Sequence, residues 1–144
     1  MTRETHLQKP PAGKLLLRTL IAAVGAAILN NLYSMVYTAV TGVSIPDVIN
    51  AFSVTLFSAV PVILGGLVYL LASRFSVKIA NIGLAVGTVV LFVLLTIPSF
   101  GETVTSPAGS QPAPEGFTGL SLGLHFAGPI LLLALVPEWR RRTD

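Results

Sequence analysis

Few side chains in this 144-residue sequence are equipped for chemistry, and those that are lie in apolar surroundings. Asn30 and Asn31 fall in one long apolar stretch. His125, four residues after Ser121, falls in another. An imidazole in hydrocarbon needs partners for its nitrogens, and an Asn amide offers two donors and an acceptor. The spacing therefore predicts a polar cluster of Asn30, Asn31, Ser121 and His125. Two uses are open to such a cluster. It can join helices, at about 0.6 kcal/mol per bond in a bilayer, or it can bind a small ligand that enters from the outer side.

Other chemistries are excluded by what is missing. There is no cysteine, so thiol catalysis, disulfide exchange and thiolate metal sites are ruled out. No Asp, Glu, Lys or Arg lies deep in an apolar stretch. Ionisable groups in the membrane are costly and are kept for function, so proton coupling through a carboxylate and intramembrane aspartyl proteolysis lose their central residue. The two histidines are His6 and His125. His6 belongs to the polar N-terminal segment, which removes a bis-His haem within one chain. No nucleophile–base pair or metal-ligand set can be assembled. The expectation is a non-enzymatic protein with no cofactor and no metal.

The elements that position these residues follow from composition. Apolar residues make up 53% of the chain and charged residues 10%, against roughly 25% charged in an ordinary soluble domain. So little charge cannot clothe a water-facing surface, and lipid is the expected partner of most of it. Four stretches reach the roughly 20 residues needed to span the hydrocarbon: about 15–40, 51–72, 77–98 and 118–136. The first is about twice as long as the apolar core of a secretory signal and is read as a retained helix, with Arg18 close enough to its end to snorkel. Counted from assumed midpoints, Asn30, Asn31 and His125 share a depth roughly 4–5 Å outside the bilayer centre.

Charge sets the orientation. All nine basic residues (Arg3, Lys9, Lys14, Arg18, Arg74, Lys78 and Arg140–Arg142) fall on one side of a four-span arrangement. The connections on the other side carry Asp47, Glu102 and Glu115 but no Lys or Arg. By the positive-inside rule both termini are cytoplasmic. The net charge of +3 is thereby accounted for without nucleic acid. Tyr37 and Phe117 near one interface, with Tyr69, Phe75 and Trp139 near the other, agree with these boundaries. The predicted architecture is an all-α membrane protein, its four transmembrane helices an antiparallel bundle with both ends inside. Residues 1–14 form a cytoplasmic tail, 15–137 the membrane domain and 138–144 a basic tail. The connection 99–117, rich in Pro, Gly, Ser and Thr, is expected to be mobile and extracytoplasmic.

In lipid, helices associate through close packing and interhelical hydrogen bonds, so small residues four apart mark contact faces. Gly83 and Gly87 on the third helix and Gly119 and Gly123 on the fourth are such pairs. Ala23, Ala27, Asn30, Ser34 and Tyr37 form a stripe on the first helix, and Ser58, Pro61 and Gly65 one on the second. The same stripes would also serve a homodimer. Pro61 and Pro129 each remove a backbone donor near mid-membrane and are expected to kink their helices. Asn81 and Thr88 form a thinner polar stripe on the third helix. Leu56–Leu64 loosely echoes Leu124–Leu132, which would fit a parallel repeat of two hairpins.

With an Asn in the first helix and a Leu-His-Phe-Ala-Gly run, residues 124–128, in the fourth, the chain resembles the small bacterial four-helix membrane proteins classed as a domain of unknown function. The resemblance covers nearly the whole chain. It implies a bacterial inner-membrane bundle and points to Asn30 or Asn31 and to His125. The leading expectation is an accessory or scaffold protein that meets partner membrane proteins or further copies of itself. The alternative is an oligomeric channel or carrier for a small solute, because four short helices leave little room for a pore in one subunit.

Overall fold

A computed structural model describes residues 11–43, 46, 49–106 and 109–139. Arg3, His6, Lys9, Asp47 and Arg140–Arg142, used above for orientation and chemistry, lie outside the described residues. The described chain is helical: α1 (Ala12–Thr41), α2 (Ala51–Ser73), α3 (Val77–Thr96), which tightens into a 3₁₀ turn (Ile97–Phe100), and α4 (Phe117–Leu135). All four are long and apolar enough to cross a membrane.

Local chemistry explains the ends. Gly42 adopts the left-handed conformation (φ 68°) and caps α1 by donating its N–H to the Thr38 carbonyl, a position that costs glycine nothing. Asn50 and Ser53 form a reciprocal cap on α2: the Ser53 N–H donates to Asn50 Oδ1 and the Asn50 N–H to Ser53 Oγ, both at 3.0 Å. Ser76 Oγ accepts the Ile79 N–H and starts α3 only three residues after α2 ends. Pro61 and Pro129 lie inside α2 and α4, and both helices continue through them.

The connection after α3, read from sequence without regular structure, contains two short strands. Thr103–Ser106 (β1) and Gly109–Pro112 (β2) pair antiparallel, with Thr103 opposite Pro112 and Val104 opposite Gln111. Thr103, Val104 and Thr105 are β-branched and suit a pleated strand. The Ala113 N–H donates to the Glu102 carbonyl at 2.8 Å and extends the closure. A segment with almost no apolar side chain to bury still orders itself through backbone pairing.

The packing inverts that of a soluble bundle. Leu17, Ile21, Leu32, Val68, Leu71, Val86 and Leu94 are exposed, while Ala22, Ala23, Ala26 and Ala27 are buried. Small residues inside let backbones approach, and large apolar ones outside match lipid. α1 packs on α2 and α4, and α3 packs on α2 and α4. On α2 the buried face runs through Val54, Ser58, Val62, Gly66 and Tyr69. Pro61 is exposed and Gly65 half-buried, so the contact stripe lies one residue along from the predicted Ser58–Pro61–Gly65 face.

Candidate functional site

The polar residues singled out from sequence form two separate groups. Asn30 is buried at 3% exposure, and its Nδ2 donates both hydrogens, one to Ser58 Oγ and one to the Leu124 carbonyl, each at 2.7 Å. Ser58 Oγ in turn donates to the Val54 carbonyl at 2.6 Å. One amide thus joins α1, α2 and α4. Asn31 Nδ2 donates to its own helix at the Ala27 carbonyl, 2.8 Å away, and to Thr55 Oγ1 of α2 at 3.0 Å.

His125 is not part of this tie. Its Nδ1 lies 2.6 Å from the Ser121 carbonyl one turn back in α4. Two acceptors cannot bond to each other, so Nδ1 carries the hydrogen and Nε2 is left as the acceptor in the neutral ring. Nε2 has no hydrogen-bond partner among the described residues. Ser121 does not bond to the ring through its hydroxyl: Ser121 Oγ lies 2.7 Å from Ser99 Oγ, at the end of α3. The predicted cluster of Asn30, Asn31, Ser121 and His125 is therefore corrected to an amide tie across α1, α2 and α4 and a half-buried imidazole bonded to its own backbone. The reason is local. A helix places the carbonyl four residues back within reach of a His side chain, whereas meeting Asn30 requires a particular rotation of α4.

The glycine pairs differ in the same way. A Cβ at Gly119 would overlap Tyr37, and one at Gly123 would overlap the Tyr33 ring. The hydroxyls of these tyrosines donate to the carbonyls of Gly119 (Tyr33) and Gly116 (Tyr37), both at 2.8 Å. Tyr33 and Tyr37 stand four apart on α1, as Gly119 and Gly123 do on α4, and that matched spacing was a readable signal. Nothing lies within 4 Å of a Cβ built at Gly83 or Gly87. Gly83 is exposed and Gly87 half-buried, and no described side chain closes on either, so the expectation of tight packing at this pair within the bundle is corrected.

Sequence reasoning missed a third group at the end of the bundle that carries the basic residues. Tyr69 Oη donates to Asn81 Oδ1 at 2.8 Å, Asn81 Nδ2 donates to the Glu138 carbonyl at 2.9 Å, and the Glu138 N–H donates back to Tyr69 Oη at 3.0 Å. The Glu138 carboxylate pairs with Arg18 at 2.6 Å. Arg18, close to the helix end, is thus an ion-pair partner. The available signal was one carboxylate, Glu138, next to a run of arginines.

Chemically, these groups bond to each other and to backbone. Among the described residues, no three His, Cys, Asp or Glu side chains come together as a metal site would need. No family model, no curated protein and no solved structure matches this chain.

Proposed function

We propose that this chain is a multi-pass protein of a bacterial cell membrane, with antiparallel helices, both termini in the cytoplasm and an accessory or scaffold role exercised through partner helices. The observation that carries the reading is the contrast between the two glycine pairs. Gly119 and Gly123 are filled by tyrosines of the same chain, while a Cβ built at Gly83 or Gly87 on α3 meets nothing within 4 Å. Glycine inside a helix costs about 1 kcal/mol relative to alanine, and close approach of a second helix in lipid is the usual return for that cost. The polar side chains within the spans support the non-enzymatic part, since Asn30, Asn31, Ser58, Tyr69 and Asn81 are each committed to bonds within the chain. The one-sided basic residues support the orientation, and the bacterial setting is the one the sequence resemblance implies.

One observation favours the second reading, an oligomeric channel or carrier for a small solute: half-buried His125, whose Nε2 has no partner among the described residues. Two measurements separate the readings. Gentle purification with mass spectrometry should recover a membrane partner or a second copy, lost on Gly87→Leu. Solute flux into proteoliposomes should not exceed that of empty vesicles. Flux above that level, abolished by His125→Ala with the fold intact, would replace the scaffold reading by the carrier.

A further inference from the structure

Residues 136–139, which follow α4, do not trail away from the bundle. Val136 is fully buried in the apolar cluster that contains Leu15, Tyr69 and Ala80. Two residues on, Glu138 is held through three groups: its N–H by Tyr69, its carbonyl by Asn81 and its carboxylate by Arg18. Trp139 Nε1 donates back to the Leu133 carbonyl at 2.8 Å. A short non-helical segment is thereby tied to α1, α2 and α3 together.

These ties differ from the Asn30 tie in their access to water. The Arg18 and Glu138 side chains are 30% and 26% exposed, so water competes for both. Thr19, the residue after Arg18 on α1, packs on Gly66, three residues before Tyr69 on α2. Thr19 is buried, and its Oγ1 has no hydrogen-bond partner among the described residues. A buried hydroxyl without a partner is unfavourable and would gain from meeting water. The closed arrangement thus leaves a bond unmade beside ties whose charged groups are partly exposed.

We infer that Val136–Trp139 is a releasable strap, closing the basic end of the bundle over the level of Thr19 and opening there while the Asn30 level stays shut. The opening is local because the two ends are held independently. Tyr69, Asn81, Arg18 and Glu138 share no bond with Asn30, Ser58 or Leu124.

The cysteine-free chain makes the test direct. Thr19→Cys in an otherwise unchanged chain, reconstituted in vesicles, is treated with N-ethylmaleimide, which crosses bilayers and makes the result independent of orientation. Modification should be slow, and faster in a Tyr69→Phe background, which loses two bonds at about fivefold each. Ser34→Cys, buried at the other end of α1, should keep its rate in that background. An unchanged rate at Thr19→Cys, or an equal rise at Ser34→Cys, overturns the strap. The first outcome means that the segment does not cover, and the second that the whole bundle has loosened. If Thr19→Cys fails to fold, hydrogen exchange of the unmodified chain against Tyr69→Phe decides the matter. Faster exchange confined to residues 12–19 and 132–139 supports the strap, and uniform or absent change overturns it.

Discussion

Asn30 and Ser58 form a relay between α1 and α2, in which the amide donates to a hydroxyl that itself donates to the Val54 carbonyl. The second amide hydrogen goes to the Leu124 carbonyl of α4, so no donor of Asn30 is idle. Asn30→Leu removes both interhelical bonds and should destabilise the protein in detergent by about 1–2 kcal/mol. Asn31→Leu should cost less than about 0.5 kcal/mol, since one of its bonds is to its own helix and the other is exposed. Equal losses in a denaturation series would contradict this ranking.

His125 bonds to neither amide, so its contribution should be separable from theirs. The double variant Asn30→Leu, His125→Leu should lose the sum of the single losses to within about 0.3–0.5 kcal/mol. A larger coupling energy would mean that the ring and the amide do touch in the membrane.

The glycine pairs should respond in opposite directions to alanine. At Gly123 the added Cβ meets the Tyr33 ring, and overpacking of this kind costs about 1–3 kcal/mol. Pairing it with Tyr33→Leu should recover part of the loss. Gly83→Ala and Gly87→Ala meet open space, and each should stabilise the isolated chain by up to about 1 kcal/mol through helix propensity. If a partner occupies that face, the same changes weaken its retention during purification while the chain itself becomes more stable.

Thr19 offers a test of the unmade hydrogen bond. Its Oγ1 is buried and without a partner among the described residues, so Thr19→Val keeps the shape and deletes the penalty. A gain of about 1 kcal/mol is expected, in contrast to the usual loss when a bonded threonine is replaced. Loss of stability would show that water or a lipid headgroup reaches this hydroxyl in the bilayer.

Orientation can be read with single cysteines. Ser110→Cys, in strand β2, should be labelled from outside intact cells by a reagent that cannot cross the membrane. Phe75→Cys, 90% exposed in the turn between α2 and α3, should be labelled only after the cells are opened. The reverse pattern would invert the topology.

The four membrane-length apolar helices were legible without coordinates, because they depend on additive properties of segments. Run length, scarcity of charge and the distribution of Lys and Arg hold whatever the neighbours are, and the four helices fall within a few residues of where these predict them. Which residues meet is a different matter. Rotation about a helix axis decides that His125 turns to its own Ser121 carbonyl, that Tyr33 fills the space at Gly123, and that no described side chain fills the space at Gly83 or Gly87. In an apolar helix many rotations bury similar area, so the one-dimensional pattern barely distinguishes them. The hold on Glu138 was hidden for a related reason. It uses the residue's backbone N–H and carbonyl, which every sequence position possesses, and only the approach of Tyr69 and Asn81 in three dimensions turns them into a site.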